Sequence, residues 1–174
     1  MDKFNLLKKL GAGDFQHLNG TLESHLLGTE KLLGQWGASE RLRVAGLYHA
    51  AYGTAGFDEN MVSLNQRKEI AKLVGQDEEE LIYLYCACDR DYVFPQFSTS
   101  AQIEFRDRFT GECFVLSDQQ TRDMSELTVA NELELVLSSA EFKAQYGVEL
   151  FELFQAMDRF VSASARDAYL SAFA

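Results

Sequence analysis

Apolar positions along this chain recur mostly at helical spacing. Leu22, Leu26, Thr29, Leu33 and Trp36 fall three or four residues apart, which turns one stripe of a helix toward a core. Asn19 or Thr21 supplies its N-cap, and Gly37 suits the left-handed residue that closes such a helix. Ser39 starts a second helix whose core face is Leu42, Ala45, His49 and Tyr52, and Gly53-Thr54-Ala55-Gly56 breaks it. A third helix is predicted over Asn65 to Val74, with Gly75 as its stop. Asp77 with Glu80 resembles a capping box for a fourth, which carries Leu81, Tyr85 and Cys88 on one face and ends near Asp89-Arg90. The acidic run from Asp77 to Glu80 reads as a solvated helix start, since acids there suit the helix dipole.

The second half reads differently at first. Residues 91–101 form a loop in this reading. Gln102 to Ser117 alternates apolar and polar around Thr110-Gly111, which predicts a short β-hairpin. Asp118 begins a long helix to about Ser138, with Met124, Leu127, Asn131 and Leu135 on one face. Two further helices are expected over Val148 to Val161 and Ala163 to Phe173. There is no internal repeat, and Gly11-Ala12-Gly13 reads as a turn. The expected fold is all-α, a single domain over 1–174 with one small β-hairpin insertion.

Composition narrows the partners. A chain of 174 residues is long enough to bury a real core, and a hydrophobic fraction of 47% is ordinary for a globular domain. The net charge of -11 opposes nucleic-acid phosphates and anionic lipid, so neither nucleic acid nor membrane is expected as a partner. The first residues lack the pattern of a secretory signal, and no apolar run approaches the roughly 20 residues of a membrane span. Cys86, Cys88 and Cys113 are an odd set at the wrong spacing for a Cys-x-x-Cys motif. They read as reduced, buried packing thiols of a cytoplasmic protein. No feature of the sequence specifies an oligomeric state.

Chemistry concentrates on two histidines, His25 and His49, each on the core side of its helix. They face each other if the two helices pack antiparallel. Their order, with His49 closing the helix that reads Ala45-Gly46-Leu47-Tyr48-His49, resembles the HD superfamily of metal-dependent phosphohydrolases. The similarity is greatest to the domain that hydrolyses guanosine tetraphosphate, over roughly residues 20 to 138, with the helices of 139–174 outside that core. The chain is also similar to uncharacterised HD-like proteins sharing Gly20-Thr21-Leu22, His25-Leu26, Trp36-Gly37, Tyr52-Gly53-Thr54 and Cys88-Asp89-Arg90. The resemblance implies an HD-like helical bundle with metal ligands at His25 and His49. It also shows what is missing. The hydrolase pattern His-Asp-x-x-Glu-Asp is replaced by His49-Ala50-Ala51-Tyr52-Gly53-Thr54, and the final Ala-Asp by Ala130-Asn131.

Three readings follow for the pair. A divalent metal (Fe, Mn, Ni or Zn) could sit on His25 and His49 with Asp89 as substitute carboxylate, or with Glu23 or Glu30. Without metal, a histidine serves as general acid or base, with Asn131 replacing the lost Asp. The bland alternative is two histidines hydrogen-bonded in a core. A small-molecule ligand is the expected partner, held by Tyr52, Thr54 and Arg90, whose planar fork suits a carboxylate or phosphate. Arg90 reads more readily as a solvated helix end, and Tyr48, Tyr52, Tyr83 and Tyr85 with Trp36 as core. Asn131 is expected to line a cavity or to bond a histidine. The function expected is therefore an HD-like enzyme with a histidine-lined pocket, or a degenerate HD domain that binds without turnover.

Overall fold

Helix boundaries in this protein follow its capping residues. The structure is a computed structural model that describes residues 5–6, 9, 16–17, 20–56 and 60–174. The turn expected at Gly11-Ala12-Gly13 and the cap at Asn19 lie outside the described residues. The chain divides into two compact units, Met1–Cys86 and Ala87–Ala174.

In the first unit, β1 (Gln16–His17) pairs antiparallel with β2 (Gly20–Thr21). Helix α1 (Leu22–Gln35) follows directly, its N-terminus capped by the Thr21 hydroxyl, which accepts from Ser24 N. It ends as expected: Gly37 has φ 74°, and the Ala38 N–H returns to the Leu33 carbonyl at 3.0 Å. Ser39 then caps α2 (Glu40–Tyr48). The two helices pack with Leu22, His25, Leu26, Thr29 and Leu33 of α1 buried. Their approach is close. A Cβ on Gly46 would lie 2.5 Å from Leu33 Cδ1, so a side chain there requires Leu33 to shift. Arg43 of α2 ties to Glu30 of α1 at 2.6 Å. A 3-10 turn (Leu64–Gln66) with a Ser63 capping box leads into α3 (Arg67–Val74), and α4 (Gln76–Ala87) completes the unit.

The second unit opens with α5 (Arg90–Val93) and a 3-10 turn, Phe94–Ser98. This stretch was expected to be a loop. Pro95 sits at the start of the 3-10 turn, where its missing N–H and fixed φ are harmless, so it begins a helical turn rather than preventing one. The expected hairpin is present: β3 (Glu104–Arg106) pairs antiparallel with β4 (Cys113–Val115), Phe105 opposite Phe114. Buried Asp107 shapes the turn by accepting from the N–H groups of Phe109 at 2.8 Å and Thr110 at 3.2 Å.

Three helices finish the chain. A capping box of Ser117 and Gln120 starts α6 (Asp118–Ser138), which is buried along most of its length. The next, α7 (Ala140–Met157), begins well before the expected Val148, because Ser139 caps it and Gly147 lies inside it, against Phe173. The last is α8 (Ala163–Ala172). Both α7 and α8 pack on α6. Glu126 of α6 accepts from the Ser162 N–H at 2.8 Å and its hydroxyl at 2.6 Å, fixing the start of α8. The fold is thus all-α with small antiparallel hairpins.

Asp158, between α7 and α8, gathers Arg166 Nε at 2.7 Å and the Tyr169 hydroxyl at 2.6 Å. The Arg166 bond, then the Tyr169 bond, hold its carboxyl below the ordinary 3.8. A carboxylate whose pKa falls on folding contributes stability that is present above 3.8 and is lost as pH drops through the folded value. Asp158→Asn is therefore expected to melt below the wild type near neutral pH. In thermal denaturation the gap should close as pH falls below the carboxylate range; a gap independent of pH would contradict this account.

Candidate functional site: a buried imidazole pair

His25 projects from the first turn of α1, and His49 is the C-cap of α2. Both are 3% exposed. Their rings meet edge to face, with centroids 5.1 Å apart and planes at 86°. The packing of α1 on α2 thus brings the two histidines together, as expected. Tyr85 of α4 adds a third ring, 5.7 Å from that of His49 and also edge-on.

One hydrogen bond sets the chemistry of His49. Its Nδ1 lies 2.7 Å from the Gly46 carbonyl oxygen. A carbonyl only accepts, so Nδ1 carries the proton and the neutral ring keeps its lone pair on Nε2. Nε2 is the nitrogen that can act as base or ligand. The backbone of the same residue is held too: the Cys86 thiol donates to the His49 carbonyl at 3.1 Å.

The turn that follows His49 carries Tyr52, which is 3% exposed. Its hydroxyl donates to Glu79 Oε1 at 2.6 Å. Arg67 closes the same carboxylate with both arms of its fork, Nε to Oε1 at 2.7 Å and Nη2 to Oε2 at 2.8 Å. The guanidinium also lies 3.7 Å from the centre of the Tyr83 ring. Burial first, and then the Glu79 bond, push the Tyr52 hydroxyl well above its ordinary 10. Glu79 is 2% exposed. The expectation of a solvated acidic run from Asp77 to Glu80 fails at this residue. The signal was in the spacing: Ile82 and Cys86, three and seven residues on, are both fully buried, so Glu79 shares their helix face.

The other expected site residues have these placements. Thr54 is buried in the first unit. Glu30, an alternative carboxylate, is engaged by Arg43. Asp89, Arg90 and Asn131 belong to the second unit. Asp89 accepts from Arg106 at 2.8 Å, and Arg90 donates to Glu132 at 3.2 Å. Asn131 is buried on α6, 6% exposed. Among the described residues there is no group of three or more His, Cys, Asp or Glu side chains placed to hold a metal ion. No helix among them is long and apolar enough to cross a membrane.

Comparison with known proteins adds a match to a family of unknown function. Residues 6–90 fit the model of a domain of unknown function (DUF6817). That span takes in α1 to α4, with both histidines, Tyr52, Arg67 and Glu79. No curated protein and no solved structure matches the chain.

The thiols differ more than expected. Cys86 and Cys88 are buried, whereas Cys113 is exposed on β4, all three of whose residues face outward. Burial pushes the Cys88 thiol up to about 12, against the opposing pull of Arg90. A thiolate is the reactive form. Alkylation of the native protein in mild base is therefore expected to mark Cys113 quickly, and Cys86 and Cys88 only after denaturation. Peptide mass spectrometry reads this directly, and labelling of Cys88 at the rate of Cys113 would contradict its burial.

Proposed function

We propose that the His25–His49 pair is the working centre of a small-molecule site in an HD-like enzyme, acting by general acid–base chemistry. The observation that carries this reading is the edge-to-face imidazole pair, with His49 held in one tautomer by the Gly46 carbonyl. An imidazole held in one tautomer presents a single nitrogen for proton transfer, and such groups typically contribute about 10²–10⁴-fold to a rate. Placing two imidazoles in contact inside a core costs stability that apolar side chains would not, which favours a use for them. In this reading the ligand is small, the setting is cytoplasmic, and neither nucleic acid nor membrane is a partner.

A metal-bound form is the second version. Two imidazoles supply two ligands; a metal centre normally takes three from the protein. Asp89, the expected third, holds Arg106. Fe, Mn, Ni or Zn would then need its remaining donors from the bound ligand or water, and would polarise that ligand. The third reading, a degenerate HD domain that binds a small molecule or protein without turnover, draws support from Ala50 and Asn131 at positions where the hydrolase pattern has Asp.

Ligand-induced thermal shift against a metabolite panel tests the site, using wild type, His25→Gln and His49→Gln. A true ligand at about 100 times its Kd stabilises by about 2.7 kcal/mol, a shift of several degrees. The expected result is a shift in wild type that both variants lose. A shift that survives in both variants removes the imidazole pair from the function. Elemental analysis of wild type and His49→Ala, purified without chelator, separates the versions: near-stoichiometric metal lost in the variant selects the metal form, and none in either selects the metal-free form.

A further inference from the structure

We infer that Glu79 is a positioning residue for His49, acting through Tyr52 and Arg67. The inference deepens the reading above and rests on it for its functional meaning. Three features of the first unit carry it.

The first is the way residues 48–53 are folded. The Ala51 N–H returns to the Tyr48 carbonyl at 2.9 Å and the Gly53 N–H to the Ala50 carbonyl at 3.0 Å. Two successive tight turns therefore link His49 to Tyr52, and a displacement of one is carried to the other. The Ala51 carbonyl is also held, accepting from the N–H groups of Met61 and Val62 at 3.0 Å each.

The second is the role of α4. It touches this segment at both ends. Glu79, in its first turn, accepts the Tyr52 hydroxyl. Cys86, on the same face two turns on, donates to the His49 carbonyl, and neighbouring Tyr85 packs its ring on the imidazole. The helix works as a splint along the turn that bears His49.

The third is chemical. An apolar contact can slide, whereas a buried carboxylate with all its strong bonds made fixes direction as well as distance. Arg67 fills the second oxygen of Glu79 and its own ring neighbour is Tyr83, so the carboxylate is locked before Tyr52 meets it. If packing were the only requirement, a Phe–Leu contact would fill the same volume. The Tyr52 hydroxyl is thus given a single place, and His49 with it.

The test needs no ligand, so it stands apart from the thermal-shift experiment. Its probe is the Nδ1–H proton of His49, followed in 15N-labelled protein at one pH by imidazole two-bond correlation spectra and by exchange with solvent. The backbone amides of Leu26 and Leu33 in α1 serve as the reference for general loosening. In Tyr52→Phe the His49 Nδ1–H is expected to exchange about tenfold faster relative to those amides, as a bond to a charged partner is lost. Glu79→Gln, which keeps an acceptor for the Tyr52 hydroxyl, is expected to accelerate it less than Glu79→Ala. Wild-type exchange in Tyr52→Phe would overturn the inference, as would an acceleration that the α1 amides share in equal measure, which marks a merely structural network. If the exchange result holds while the histidine variants keep the ligand response, the positioning stands and the functional reading falls.

Discussion

An imidazole withdrawn from water keeps its place only while its N–H finds an acceptor, and much of the first unit is arranged around that demand. His49 meets it with the carbonyl of Gly46, one turn back in its own helix. This is the position a helix end leaves without an intrahelical partner, so the side chain repairs a backbone vacancy while orienting itself. From that bond the rest follows. In the neutral ring the proton sits on Nδ1, and the ring stands edge-on to both His25 and Tyr85. A buried carboxylate a few residues along the chain obeys the same rule, with a tyrosine and an arginine as its donors.

Polar residues organise the second unit as well, but for a different end. Glu126 of α6 binds the first residue before α8, and Asp158 binds Arg166 and Tyr169 within it. These bonds set where a helix begins and how it lies on its neighbours. Arg159 does similar work for the segment after α5, donating to the carbonyls of Phe97 and Ser100. The arrangement reads as architecture.

Much of the fold was legible in the sequence because its local signals agree with its tertiary packing. Thr21, Gly37 and Ser39 act where a capping rule places them, and the alternation around Thr110-Gly111 does give a hairpin. The failures have physical causes. Residues 91–101, read as a loop, hold a short helix and a 3-10 turn with Pro95 at its start, and a helix extends through Gly147, against Phe173. The histidine pair was legible from periodicity alone. Glu79 was not, because three neighbouring acids made a solvated helix start the easy reading, and only the buried residues further along its face reveal the other. Cys113 was misjudged for the converse reason: a thiol is usually buried, but a two-stranded hairpin has an outer strand with nothing over it among the described residues.

Near the imidazole pair the packing of α1 on α2 turns on a residue with no side chain. A Cβ at Gly46 would lie 2.5 Å from Leu33 Cδ1, while the nearest backbone atom, the Glu30 Cα, would stay at 3.7 Å. The contact lies one turn before His49 on α2 and two turns beyond His25 on α1. An added methyl group would press on the end of a leucine and leave the helix backbone untouched. Position 46 is therefore a place where the core beside the pair can be repacked without touching either ring: a larger residue there must first turn Leu33 aside.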